Sequence, residues 1–313
     1  MILVSRQKGA ALLAVLVVAV VLVVMLGVAS ALMQQRLSLA YESKQMLSDQ
    51  AEVYAKANQL TYLLVTQRWT FAGVSQGLNA KGFERNEDGL FLQPLTGDEL
   101  RMDGYEYKTD EGLKFSLQNE NGLLPINSAS PYWLKRWLKG KGYSAPDQAR
   151  YADRLADYAD GDQWSRPGGA EGGTYEKAKL PPPRNYLLQQ CTELARVYGW
   201  QSLLSEYPDI LTQCSLRRTP VLNINAIPVA LWAVIWPDSA ERLALARAKG
   251  EWFTRFEQAY QVEPGFLLES QDYYSPLGGN RVIIRIYKGG VGIAVSVQRG
   301  QKNTFPYVWR QVL

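Results

Sequence analysis

The residues Arg6-Gln-Lys8-Gly9-Ala10-Ala-Leu-Leu-Ala14-Val-Leu-Val-Val-Ala-Val-Val-Leu-Val-Val-Met-Leu-Gly-Val-Ala29-Ser30-Ala31-Leu32-Met33 decide how the rest of the chain is read. Ala10 to Met33 carry no charge over 24 residues, and the stretch before them holds two cations, Arg6 and Lys8, and no acid. At about 1.5 Å of rise per residue such a helix spans roughly 36 Å, enough to cross a bilayer with some tilt. Cations ahead of the span predict a cytoplasmic amino end and an exported remainder. No proline follows before Pro94, and Leu32, Leu39, Met46, Val53 and Leu60 recur at every seventh position. Ala40, Leu47 and Tyr54 widen this stripe, with Arg36, Glu42, Lys44, Asp49 and Lys56 between. One amphipathic helix is therefore expected to continue straight out of the membrane segment.

Three arrangements compete for this amino terminus. One is a plain uncleaved anchor. Another is a secretory signal peptide cut after Ala29-Ser30-Ala31, although its apolar core exceeds the usual length and the cut would sever the helix. The third is a pilin-type leader, which ends in glycine before the apolar run, so that cleavage after Gly9 leaves the helix attached from Ala10. The uninterrupted stripe counts against the second and suits the third, with half of the rod in lipid and half packed on a globular head. A stripe by itself favours a plain membrane stalk or coiled coil.

Composition narrows the chemistry. The chain has 313 residues, 47% of them hydrophobic and 20% charged, so a packed core is expected rather than disorder. There is no histidine, which removes Ser-His-Asp and Cys-His nucleophiles and every histidine-containing zinc site. Two cysteines exclude a four-thiolate site. The net charge of +4 is scattered, which leaves no electrostatic footprint for nucleic acid. In an exported segment Cys191 and Cys214 are expected to form a disulfide, the alternative being two buried thiols.

Glycines at 73, 77, 82 and 89 mark a loop region from Gly73 to Asp103. Alternating segments at Gly104–Lys108 and Leu113–Leu117 flank the turn Thr109-Asp110-Glu111-Gly112, a hairpin pattern repeated by Arg281–Lys288, Gly289-Gly290 and Gly292–Arg299. Tyr307–Leu313 is a third strand candidate there. Between the two patterns, Ala, Leu, Trp and Tyr recur at helical spacing. Helices are expected at Tyr132–Lys139, Ala145–Tyr158, Tyr186–Tyr198, Trp200–Glu206, Pro228–Ile235, Ser239–Gly250 and Glu251–Tyr260. The fold class is thus α+β, a helical domain inserted into a small head whose strands flank it. The tryptophans on these helical faces, such as Trp133 with Trp137, read as core.

The segment Asp153-Arg-Leu-Ala-Asp157-Tyr-Ala-Asp160-Gly-Asp162 runs into Arg166-Pro-Gly-Gly-Ala-Glu171. Asp157 and Asp160 share a helix face, and Asp162 follows in a loop. Several carboxylates converging on a loop suit a hard cation such as Ca²⁺. Asp160, Asp162 and Glu171 occupy the first, third and twelfth positions of an EF-hand frame. Trp164 and Ser165 stand where that frame needs an oxygen ligand and a glycine, so it is not an EF-hand. A solvated acidic helix end, or the acid and base of a glycan-acting enzyme, would use the same residues.

In these stretches the chain resembles the general secretion pathway protein K family, the large minor pseudopilin of type II secretion systems. The resemblance runs through the Arg-Gln-Lys-Gly leader, then Leu117-Gln-Asn-Glu-Asn-Gly122 with Ile126-Asn127, and the Asp157 to Glu171 segment with Tyr175. Pro182-Pro183-Arg184-Asn185, Glu193-Leu194-Ala195-Arg196-Val197-Tyr198-Gly199 and Leu222-Asn223-Ile224-Asn225-Ala226 follow in the family's order. It implies a prepilin leader at 1–9, a transmembrane and amphipathic pilin helix at 10–72, and a pilin head begun by 73–127 and completed by the strands of 261–313. The inserted helical domain would be 128–260, with the acidic loop and a helix-hairpin-helix-like unit.

The resemblance further implies cleavage by prepilin peptidase between Gly9 and Ala10, N-methylation of Ala10, and Ca²⁺ held by Asp157, Asp160, Asp162 and Glu171. Gly172-Gly173 departs from the family, which often has another acid there. The implied role is non-enzymatic: an inner-membrane, single-pass subunit with its bulk in the periplasm. With two smaller minor pseudopilins, of I and J type, it would form the tip of a pseudopilus built of the major pseudopilin. Most pilin-like subunits carry a glutamate at the fifth mature position, where this chain has Ala14. Without that carboxylate the subunit is poorly suited to receive a neighbour's amino-terminal charge, as befits a tip. A minor pilin of a type IV pilus or competence system would share the leader and rod.

Overall fold

The structure, a computed structural model, describes residues 7–79, 87, 95–265, 273–300 and 306–312, with backbone alone at 7–11, 256 and 312. The first six leader residues, the part of the expected loop at 80–86 and 88–94 including Gly82 and Gly89, and Leu313 lie outside the described residues.

Helix α1 (Gln7–Thr66) is one unbroken helix of 60 residues, about 90 Å long. It leads into the short strands β1 (Gly73–Ser75) and β2 (Glu99–Arg101), then β3 (Asp103–Lys108) and β4 (Lys114–Asn119). The chain next passes through β5 (Leu124–Pro125), α2 (Tyr132–Gly140), α3 (Ala145–Ala159), α4 (Gly172–Lys177), α5 (Gln201–Glu206) and α6 (Ile210–Gln213). After β6 (Cys214–Ser215) and β7 (Leu222–Asn223) come α7 (Val229–Ile235), α8 (Ala240–Ala248), α9 (Phe256–Val262) and β8 (Tyr274–Ser275). The chain closes with β9 (Arg281–Lys288), β10 (Val291–Gln298) and β11 (Tyr307–Val312).

The head is an antiparallel sheet in the order β11-β10-β9-β4-β3, with α1 across one face. Its strands alternate as a half-buried sheet requires: Val282, Ile284 and Ile286 on β9 and Ile293, Val295 and Val297 on β10 all point at the helix. Helix α1 answers with Val53, Ala57, Leu60 and Leu64, each at most 1% exposed. The earlier members of the same stripe, Leu32, Leu39 and Met46, are more than half exposed. The apolar seam thus outruns the head on the membrane side.

The second core runs from Leu124 to Tyr274 and is aromatic: Trp133, Trp137, Trp200, Trp232, Tyr158 and Tyr175 are all buried. Helices α2, α3, α5, α7 and α8 form where the periodicity predicts. Helices α7 and α8, joined by a single 3-10 turn at Pro237–Ser239, make the expected helical hairpin. Two segments differ. At Tyr186–Tyr198 only a 3-10 stretch, Cys191–Arg196, forms. Asn185 with its positive φ and the cross-link of Cys191 to Cys214 hold this segment against its neighbours instead. The expected helix Glu251–Tyr260 starts late, because the Phe253 amide and carbonyl are bound by Asn225 (3.0 and 2.7 Å) and Arg255 begins the capping box of α9 with Gln258. In the expected loop region, β1 and β2 pair, fastened by Ser75 Oγ donating to Asp98 (2.9 Å) and the Thr96 amide donating to Glu99 (2.5 Å).

The two cores meet through buried polar contacts. Arg247 of α8, 3% exposed, donates to Asp103 of β3 at 3.0 Å and to the carbonyls of Ile227 (2.7 Å) and Ile224 (3.1 Å). Burial pulls its pKa down, to about 10, and Asp103 opposes that shift. Asp103 also receives Arg101 at 2.5 Å. Gln118 donates to the Ala226 carbonyl at 2.8 Å, and Asn119 to that of Gly279 at 2.8 Å. Asn127 likewise ties Leu188 and Leu216 together through its amide. Asn119, Asn127 and Asn225, singled out in the sequence, are therefore braces, each satisfying otherwise orphaned backbone groups.

Candidate functional site

The acidic loop is assembled by three local features. Helix α3 delivers Asp157 from its last turn and ends at Asp160, its C-cap. Asp162 lies in the following loop, where its carboxylate accepts from the Trp164 amide at 2.8 Å. Glu171 is the N-cap residue of α4, yet its side chain makes no capping bond. Its carbonyl instead accepts from the Thr174 amide at 2.7 Å, which leaves the carboxylate free to turn toward the aspartates. Tyr175, fully buried, anchors α4 by accepting from the Tyr198 amide at 2.8 Å, and burial pushes its phenol up to about 12.

One carboxylate oxygen from each of Asp160, Asp162 and Glu171 lies within 4.8 Å of the others. Glu171 is 7% exposed, and neither of its oxygens, nor Oδ1 of Asp160, receives a well-formed hydrogen bond. Burial, then the charges of Asp157, Asp160 and Asp162, hold the Glu171 carboxyl above the usual carboxylate range, with the Gly172 amide as a partial offset. Carboxylates at the carboxyl end of α3 also oppose the helix dipole. Burial of unpartnered carboxylate oxygens beside like charges is costly unless a cation is shared among them. Three hard oxygen donors of this kind fit a Ca²⁺-type ion, with remaining positions left to backbone oxygens and water.

Asp157, the fourth residue expected at the site, is placed differently. It is fully buried and accepts from Arg166 Nη1 at 2.6 Å, from the Arg166 amide at 3.1 Å and from Ser165 Oγ at 3.3 Å. Arg166 Nη1 also reaches Asp160 Oδ2 at 2.5 Å. The carboxylates push the guanidinium further up from its ordinary value. The role of Arg166 was missed in the sequence, where the only signal was a cation between Asp162 and Glu171. Gly169 lets the loop close: a Cβ there would stand 1.8 Å from Asp157 Oδ2. Cys191 and Cys214 are joined, as expected, and their bond ties the 3-10 stretch to the start of β6. Gly9 and Ala10 lie within the helical backbone of α1.

A long apolar helix laid along an antiparallel sheet, with a helical insertion bearing a carboxylate loop, is a pilin-like architecture whose amino-terminal helix fits a single-pass membrane anchor. Residues 114–206 match the family described as type II secretion system (T2SS), protein K, which bears out the resemblance read from the sequence. The matched stretch runs from β4 to α5 and contains the whole acidic loop. The chain is also similar to a chain in the crystal structure of the GspK-GspI-GspJ complex from the enterotoxigenic Escherichia coli type 2 secretion system. The identity is 14% and the TM-score 0.56, over 86% of this chain and 98% of that one. No curated protein sequence matches.

Proposed function

We propose that this chain is the large minor pseudopilin at the tip of a type II secretion pseudopilus. There it joins two smaller minor pseudopilins of I and J type, primes assembly from the major pseudopilin, and assists export of folded proteins. The observation that carries the reading is α1, exposed and apolar over its first half, with one face of its later turns, Val53, Ala57, Leu60 and Leu64, buried against the head sheet. A rod of that kind is anchored in the inner membrane and carries its head into the periplasm. Prepilin peptidase would cut after Gly9 and leave Ala10 to be methylated. Ala14, where a neighbour's amine would seek a carboxylate, supports a terminal position, as does an inserted domain too bulky for regular stacking. The role is that of a structural component, with no catalytic step assigned.

The acidic loop, in this reading, holds one or more Ca²⁺ ions that order the residues around 160–176. Asp160→Ala is expected to lower the melting temperature only when calcium is present, and an equal loss in chelator would contradict the metal role. Co-expression with the two smaller minor pseudopilins tests the assembly. A stable ternary complex is expected, and an isolated chain that never co-purifies with them would overturn the tip assignment.

A further inference from the structure

We propose that Arg166 is a tethered counter-cation filling a second cation position in the acidic loop, so that the loop accepts a single divalent ion. The inference rests on the cation-binding reading above. A single guanidinium nitrogen bridges Asp157 Oδ1 (2.6 Å) and Asp160 Oδ2 (2.5 Å), the place a metal shared by two carboxylates would take. The residue is fixed at its other end, because its own amide donates to Asp157 Oδ2 at 3.1 Å. Gly169 is packed so closely on that same oxygen that nothing larger than its hydrogen fits between. Asp157 is therefore closed off, with both oxygens committed.

The opposite side of Asp160 is open in the chemical sense. Its Oδ1 is buried without a well-formed hydrogen bond, as are both oxygens of Glu171, and Asp162 lies beside them. Asp160 is thus a divider, giving one oxygen to the arginine and the other to the ion. Arginine suits this position because it stays charged and, although its side chain is 41% exposed, its own backbone tethers it to the carboxylate it neutralises. Removing it leaves Asp157 and Asp160 with no cation between them, a vacancy that a second ion would fill.

Native mass spectrometry of the detergent-solubilised full chain, titrated with calcium, reads this directly. Terbium luminescence sensitised by Trp164, 84% exposed two residues from Asp162, provides a second count. The expected stoichiometry is one ion for the wild type, two for Arg166→Ala, and one again for Arg166→Lys and for Arg166→Ala with Asp157→Asn. Asp157→Asn alone is expected to keep one ion with affinity changed less than about threefold, because Asp157 is not a ligand. This variant stays informative even if Arg166→Ala does not fold. Two ions on the wild type, one ion on folded Arg166→Ala, or loss of the ion in Asp157→Asn would each overturn the proposal while leaving calcium binding intact. No ion on the wild type would overturn the cation-binding reading itself, and the proposal with it.

Discussion

The head core draws on aliphatic side chains from long regular elements, Val53, Leu60 and Leu64 of α1 against Val282, Ile284 and Val295 of β9 and β10. The inserted core draws on Trp133, Trp137 and Trp232, set on helices of at most 9 residues, and on Trp200 at the N-cap of α5. Long elements fill a core by repetition, since each turn or strand pair repeats the same contact. Short elements cannot, and here large aromatic side chains reach across several of them at once. The disulfide, the asparagine braces and the acidic loop add the cross-ties that regular hydrogen-bond ladders supply in the head. The inserted domain should therefore be sensitive to single side chains, a cross-link and an ion, and the head to none of the last two.

The largest expected effect is Trp200→Ala, since loss of a fully buried tryptophan costs roughly 3–5 kcal/mol. Thermal unfolding followed by near-ultraviolet circular dichroism should show the inserted domain melting first, while hydrogen exchange in β9 and β10 stays slow. Equal loss of protection in both regions would break the comparison. Asp103→Asn, which leaves buried Arg247 without its carboxylate, is expected to cost a similar roughly 3–5 kcal/mol. It should uncouple the two regions, so that calorimetry resolves two transitions further apart than in the wild type. Reduction of Cys191–Cys214 comes next, at about 3 kcal/mol for a loop of this length, confined to the inserted domain. The smallest and most diagnostic change is Glu171→Gln. Removing a buried, poorly partnered carboxylate should raise the melting temperature by a few degrees in chelator and lower it in calcium. The same sign in both conditions would remove the ion from the account.

Much of the head was legible because its signals are periodic. The stripe through Val53 and Leu60 and the alternation in Arg281–Lys288 each dictate one geometry. The helices α2 and α3 were legible for the same reason. Tyr186–Tyr198 reads as a helix in isolation, but the cross-link at Cys191 and the left-handed Asn185 override that local preference. The late start of α9 was hidden because Asn225, distant in sequence, claims the backbone of Phe253. At the acidic loop, spacing named the carboxylates but not their division of labour. Asp157 and Asp160 sit three positions apart on one helix, and only the returning chain reveals that Arg166 lies between them. The pairing of Asp103 with Arg247, across 144 positions, leaves no local trace at all.

The central claim is that α1 is a pilin-type rod, and the amino terminus tests it most directly. Mass spectrometry of the membrane-extracted chain, from cells with and without prepilin peptidase, should find N-methylated Ala10 in the first and the uncut leader in the second. A chain that begins at Met1 in both, or near Gln34, would contradict the assignment and remove the tip argument drawn from Ala14.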